Sequence, residues 1–207
     1  MPSKCDTICT RTLLATWVEA HPAVTSVTVF GKPAVVIDFE TFYSTAEGYT
    51  LRKMTPEAYI RDPRFQVIAL VVIWHDRRVF AARGPDQCRQ LVGALDWSTV
   101  CVGSHNNAGF DGLVLTMHYG VQPGAALCTI DLARPHMPAG QSLSLKALAA
   151  YFGLPAKLDD ILHADGLRFE DFPPQQLDSY VHYCWNDTDL CLQLLHLLVQ
   201  YYYQGEA

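Results

Sequence analysis

An α/β domain with a mixed central β-sheet flanked by helices is what this sequence predicts, on three observations. Apolar runs of strand length alternate with stretches of helical spacing. Two of the runs, residues 65–74 and 77–82, are separated only by the short His75-Asp76 turn, which reads as a hairpin. Half of the 207 residues are hydrophobic and 17% are charged, a globular balance in a chain long enough to bury one full core.

Taken in order, residues 1–32 are expected to form an N-terminal extension of unclear role. A short helix is expected over residues 12–20 and a short strand over 24–30, before Gly31-Lys32-Pro33 breaks the chain. The domain proper is expected over 33–207. Residues 34–41, Ala-Val-Val-Ile-Asp-Phe-Glu-Thr, start it with a buried central strand. Thr55-Pro56-Glu57 supplies an N-cap hydroxyl followed by proline at the first helical position, and Asp62-Pro63 ends that helix. After the hairpin come a helix over 85–95, a strand over 99–103, helical spacing over 109–119 and a last short strand over 126–130. Residues 144–152 form a helix closed by Gly153 and Pro155, and 174 to about 202 a long one.

The strand at 34–41 carries the first chemical signal. Alternation along a strand puts Asp38 and Glu40 on one face. Two carboxylates at the end of an apolar strand repel each other and are both penalised by desolvation. A divalent cation with a preference for oxygen ligands, Mg²⁺ or Mn²⁺, relieves that arrangement. The competing reading makes Asp38 the start of a solvated turn and Glu40 an exposed side chain. Two further places supply acids. Asp111 follows His105-Asn106-Asn107-Ala108-Gly109-Phe110 at a strand–helix junction, either as a first-turn acid or as a third metal carboxylate. Asn107 lies one helical turn earlier, within reach of a phosphate or sugar. In the long helix Tyr183 and Asp187 stand four residues apart and share a face. Asp131, after the last strand, reads as a local cap or turn former rather than a ligand.

The net charge of −6 argues against a binder held by phosphate neutralisation alone, yet a cation-binding acid cluster is compatible with it. Seven cysteines without a Cys-x-x-Cys pair read as free thiols in a reducing cytoplasm. With no signal peptide and no apolar run of bilayer length, a soluble intracellular chain is expected.

Asp38-Phe39-Glu40-Thr41, Asn107 through Phe110-Asp111, and Tyr183 through Asp187 together resemble the three motifs of the DEDD superfamily of 3′→5′ exonucleases, in that superfamily's order. The stretches 48–55, 59–65 and 144–149 resemble the proofreading exonuclease region of phage family A DNA polymerases, so the likeness covers roughly 33–202. It implies a DnaQ-like, ribonuclease H-like fold and two bound divalent cations, Mg²⁺ or Mn²⁺. By position it implies Asp38, Glu40, Asp111 and Asp187 as metal carboxylates. Tyr183 would orient the attacking water, and Thr41, Asn107 and Phe110 would contact the terminal nucleotide. The superfamily divides by whether a tyrosine four residues before the last aspartate, or a histidine five before it, assists the water. Both are present, as Tyr183 and His182. On a continuous helix Tyr183 lies about 40° from Asp187 and His182 about 140° away, which favours the tyrosine.

The activity implied is hydrolysis at single-stranded or frayed DNA 3′ ends with release of nucleoside 5′-monophosphates. The chain would act as a free-standing nuclease, a subunit serving a separately encoded DNA polymerase, or an excised domain. A phage origin and a bacterial host cytoplasm come from the resemblance only. Two alternatives stand beside it: an RNA-directed exonuclease of the same superfamily, and a non-catalytic nucleic-acid-end or polymerase-docking module. Arg52, Lys53, Arg61 and Arg64 read either as a backbone-tracking group or as a solvated basic face. Phe42 and Tyr43 are stacking candidates, whereas Phe39 points to the core.

Overall fold

In a computed structural model, residues 27–158 and 164–204 are described. The expected helix at 12–20 lies outside them. Among the described residues six strands form the sheet: β1 (Thr28–Val29), β2 (Lys32–Thr41), β3 (Val67–Ile73), β4 (Val79–Arg83), β5 (Cys101–Ser104) and β6 (Ala125–Cys128). The order is β4-β3-β2-β5-β6, with β1 paired to β2. β2 meets β3 antiparallel and β5 parallel, so the mixed sheet expected from the sequence is present and the acid-bearing strand is central. This is a ribonuclease H-like α/β arrangement.

The helices follow the predicted signals. α1 (Pro56–Arg61) is capped by Thr55, whose side chain accepts from the Ala58 amide, with proline in its first turn. α2 (Gly84–Ala94) follows the hairpin, and α5 (Leu145–Tyr151) is capped by Ser144. α6 (Pro174–Gln204) is the long C-terminal helix. Several boundaries differ from expectation. Where a regular helix was expected over 109–119, a short α3 (Asp111–Leu113) widens into a π-helical turn at Val114–His118. There the Thr116 hydroxyl donates back to the Gly112 carbonyl at 2.8 Å, a competition with the backbone ladder that bends helices. The strand expected to reach residue 130 stops at Cys128, and Thr129–Ala133 forms α4. At the start of the sheet, where a break was expected at 31–33, the hairpin turn is Phe30-Gly31, both at positive φ, and Lys32 and Pro33 already belong to β2.

Alternation along β2 divides the core. Val35, Ile37 and Phe39 face a cluster with Tyr49, Tyr59, Val102 and Leu115. Ala34 and Val36 face the other way, into a cluster with Cys184, Trp185 and Leu195 of α6. Asp38 and Glu40 continue that second face, so the register that buries β2 also turns both carboxylates toward α6. A register shift between Glu40 and Thr41 marks the point where pairing with β3 becomes irregular, next to the two acids.

Gly84 opens α2 at φ +71°, and a Cβ there would lie 2.6 Å from the Phe169 ring. Gly84→Ala combines a left-handed backbone penalty with overpacking and is expected to cost about 2–4 kcal/mol in urea unfolding.

Candidate metal and active site

Three elements converge at the C-terminal end of β2. β2 supplies Asp38 and Glu40, the β5–α3 junction supplies Asp111, and α6 supplies Tyr180, Tyr183, Cys184 and Asp187. The α6 positions recur at three, four and seven residues, so they line one helix face. Asp111 is buried, and its Oδ1 accepts from the Phe39 amide at 3.1 Å, which ties the junction to β2 between the two acids. Gly112 allows this close seating, because a Cβ there would lie 2.6 Å from the Asn107 carbonyl oxygen. α6 is fastened to β2 by the Cys184 thiol, which donates to the Asp38 carbonyl at 3.3 Å.

The electrostatics are those of crowded, desolvated acids. Burial pushes the Asp38 pKa well up, and the charges of Asp111, Glu40 and Asp187 add to the shift. Burial raises Glu40 to about 8, against a hydrogen bond from the Tyr180 hydroxyl. Burial raises Asp111 to about 7, against the Phe39 amide and the Ser104 hydroxyl. Burial also raises Asp187, although Lys157 opposes the shift. Asp187 Oδ1 is buried with no hydrogen-bond partner. A set of oxygen donors, each carrying a penalty for its charge and one left unpartnered, fits a divalent cation. Asp38, Glu40 and Cys184 can each place a ligand atom within 4.8 Å of the others.

Lys157 is the main site residue that the sequence reading missed. Its Nζ donates to Asp187 Oδ2 at 2.5 Å and lies 4.9 Å from the centre of the Tyr183 ring. Burial works against the Lys157 charge, but Asp187 outweighs it and holds the ammonium above its usual pKa. The following Leu158 amide donates to Asn186 Oδ1 at 3.3 Å, pinning the segment to α6. The available signal was slight: one lysine after the uncharged run 147–156. Tyr180, which hydrogen-bonds Glu40, is a second site residue that the sequence reading does not single out.

The tyrosine and histidine separate as helix geometry requires. Tyr183 is half-buried beside Lys157 and Asp187, and burial with the Asp187 charge pushes its phenol to about 12. His182 is exposed, its ring centroid 5.2 Å from that of Trp185. The residues expected at substrate are placed differently from one another. Thr41 is buried with its hydroxyl 2.9 Å from that of Tyr59, which itself donates to the Phe42 carbonyl. Asn107 is buried, with Oδ1 accepting from Ser104 at 3.1 Å. Phe110 is half-buried, its ring 6.1 Å from that of Tyr59. Arg64 pairs with Asp62 at 2.8 Å and lies over the Tyr49 ring, whereas Arg52, Lys53 and Arg61 are exposed. His105 bonds Thr129 at 2.9 Å, and burial lowers its pKa to about 4. Asp131 lies in the first turn of α4, 3.6 Å from Arg134.

Cys88, Cys101, Cys128, Cys184 and Cys191 are free thiols. Among the described residues no helix is long and apolar enough to cross a membrane.

No family model and no curated protein sequence matches the chain. Solved structures do. Brucella melitensis NrnC bound to pGG matches with a TM-score of 0.53 at 19% identity, over 86% of this chain and 76% of that one. The family B DNA polymerase from the hyperthermophilic archaeon Pyrobaculum calidifontis matches with a TM-score of 0.54 at 18% identity, over 80% of this chain and 24% of that one. The catalytic core of RRP6 from Trypanosoma brucei matches with a TM-score of 0.54 at 14% identity, over 94% of this chain and 45% of that one. NrnC has also been solved with bound Mg²⁺. At these identities the likeness establishes the fold, the ribonuclease H-like one that the sequence resemblance implied.

Proposed function

We propose that this chain is a metal-dependent 3′→5′ exonuclease that hydrolyses phosphodiester bonds at single-stranded or frayed DNA ends and releases nucleoside 5′-monophosphates. The observation that carries the reading is the convergence of four acids from three distant sequence motifs, with Asp187 Oδ1 buried and unpartnered among them. Asp38, Glu40, Asp111 and Asp187 would hold two divalent cations, Mg²⁺ or Mn²⁺. Such ions, when bound, polarise the phosphoryl group, generate the nucleophile from water and stabilise the leaving oxygen.

The chain's own groups set the rest. The Tyr183 phenol, at about 12, keeps its proton at neutral pH. It therefore orients water by hydrogen bonding and does not act as a base. Tyr180 donates a hydrogen bond to Glu40 and so favours the charged form of that carboxylate. Thr41 and Asn107, buried and already bonded, would shape the nucleotide's floor, leaving Phe110 to pack against sugar or base. Tyr183→Phe is expected to lower the cleavage rate about 10–100-fold with little change in substrate affinity. His182→Ala should leave the rate within about twofold, because its ring stands on Trp185 away from the acids. Single-turnover cleavage of the two variants checks the pair.

A second reading, RNA as the substrate, draws support from the likeness to NrnC bound to pGG, which is as good as the likeness to the polymerase. Discrimination rests on contacts to the 2′-hydroxyl. Competition between matched DNA and RNA oligonucleotides, with products identified by chromatography, tests the assignment. Preferential release of deoxynucleoside 5′-monophosphates supports the first reading, and preferential RNA decay replaces it with the second. A separately encoded DNA polymerase is the partner the first reading admits.

A further inference from the structure

We infer that an aromatic ledge formed by Tyr151, Phe152, His136 and Tyr201 binds the upstream part of a single-stranded nucleic acid whose 3′ end lies at the acids. The inference rests on the nuclease reading of those acids. It adds a second, remote point of contact, and with it a preference for strands longer than a few nucleotides.

The ledge stands where three helical elements meet. Tyr151 and Phe152 end α5, His136 closes a 3₁₀ turn at Arg134–His136, and Tyr201 lies near the end of α6. The rings form an unbroken series. Tyr151 meets Phe152 edge-on with centroids 5.1 Å apart, Phe152 lies 6.0 Å from Tyr201, and Tyr201 lies 5.8 Å from His136. Beneath them Leu145, Leu148 and Ala149 of α5 pack with Leu190, Leu194 and Leu198 of α6, which gives the rings a fixed base. Tyr151 is nevertheless 48% exposed and Tyr201 52%, two of the four large hydrophobic side chains that stand exposed among the described residues. Solvent-facing rings on a packed base are what the bases of a single strand stack on.

Charge selects the partner. The chain carries a net charge of −6, yet the sequence has no aspartate or glutamate from Leu132 to Leu158 or from Leu190 to Gln204, the two stretches that build the ledge. The first stretch carries Arg134, Lys146 and Lys157, and both Arg134 and Lys146 are exposed. A basic, aromatic surface on an acidic protein suits a polyanion that also offers flat faces. Its position suits a strand continuous with the acids. Tyr183 and Tyr201 are five complete turns apart on one helix, so they stand on the same line along α6, about 27 Å from each other. α5 covers the stripe of α6 between them, and its outer residues Lys146 and Ala150 are exposed. At a stacked spacing of about 3.4 Å per nucleotide, roughly eight nucleotides cover that span.

The test is fluorescence anisotropy of 5′-labelled oligothymidylates of four and sixteen nucleotides with the full chain, and of matched oligouridylates in parallel. EDTA is present, which withholds the ions that cleavage needs. The expected result is binding of the sixteen-mer at least about tenfold tighter than that of the four-mer. That preference should be lost in the double variant Tyr151→Ala, Tyr201→Ala and kept in Tyr151→Phe, Tyr201→Phe, which retains the rings. Lys146→Gln, an exposed change, guards against an alanine variant that fails to fold, and it should flatten the slope of log Kd against log salt by about 0.7. A preference confined to one sugar assigns the ledge to that strand, and one seen with both assigns it to single strands of either kind. Equal affinity for the two lengths, a length preference that survives the double alanine variant, or a salt slope unmoved in Lys146→Gln overturns the inference and leaves the ledge to a protein partner. Hydrolysis is read separately. A length preference in a chain that cleaves neither polymer with Mg²⁺ or Mn²⁺ keeps the strand-binding ledge and removes the hydrolytic reading, whereas cleavage without a length preference does the reverse.

Discussion

Asp38→Asn is expected to reduce cleavage by about a thousandfold or more while making the protein more resistant to heat in the presence of a chelator. Both effects have one cause. Asp38 is desolvated and faces Asp111, Glu40 and Asp187, so its negative charge is unfavourable in the fold unless a cation answers it. The amide keeps the volume and removes the charge. It relieves the repulsion and also deletes a ligand. The accompanying pH dependence follows from the direction of the shifts. Glu40 at about 8 and Asp111 at about 7 both lie above their ordinary values. The folded chain therefore retains protons that the unfolded chain has released. Their contribution to stability is full below the unfolded values near 4 and is lost as pH rises through 7 and 8. In EDTA, wild-type thermal midpoints should fall from about pH 5 to about pH 8.5, with a shallower fall in Asp38→Asn and in wild type saturated with Mn²⁺. Thermal scans across that range, with and without Mn²⁺, measure all three slopes. A midpoint that rises with pH in EDTA contradicts the crowded-acid account.

Lys157→Ala should destabilise the protein by about 3 kcal/mol in EDTA, and by much less when Mn²⁺ is present. The ammonium donates to Asp187 Oδ2 at 2.5 Å, with side-chain exposures of 22% and 9% for the two partners. Removing it leaves a desolvated carboxylate without a cation, while the other Asp187 oxygen already lacks a partner. A bound divalent ion supplies the missing positive charge, so its presence should recover most of the loss. The variant should also bind Mn²⁺ more tightly, since lysine and metal contend for one oxygen. Urea unfolding under the two conditions reads the first effect, and calorimetric titration the second. Equal losses with and without Mn²⁺ would mean that Lys157 supports the fold independently of the acid centre.

Much of the fold was legible because its signals are local. The β-branched run before Asp38, the Thr55-Pro56 helix start and the helix stop at Gly153 and Pro155 each specify an element with little help from the rest of the chain. The strand period of two placed Asp38 and Glu40 on one face, and the helix period separated Tyr183 from His182. What stayed hidden depends on tertiary approach. Lys157 lies thirty residues before Asp187, in a loop with no periodicity, and only packing brings it to the carboxylate. The bond between Tyr180 and Glu40 and that between Cys184 and the Asp38 carbonyl join residues more than a hundred positions apart. A polar atom on an otherwise apolar helix face gives no sign in sequence of which partner it will find. The π-helical turn after Asp111 also escaped, because it arises from a side chain competing with its own backbone.

The central claim is that the acids from the three motifs form one hydrolytic centre acting at a 3′ end. Digestion of a 5′-labelled single-stranded DNA with Mg²⁺ or Mn²⁺, beside an Asp187→Ala control, tests it most directly. The account predicts a ladder that shortens from the 3′ end, disappears in EDTA and is absent with Asp187→Ala. An intact oligonucleotide with either metal, on DNA and on a matched RNA, or a ladder that persists in Asp187→Ala, would contradict it.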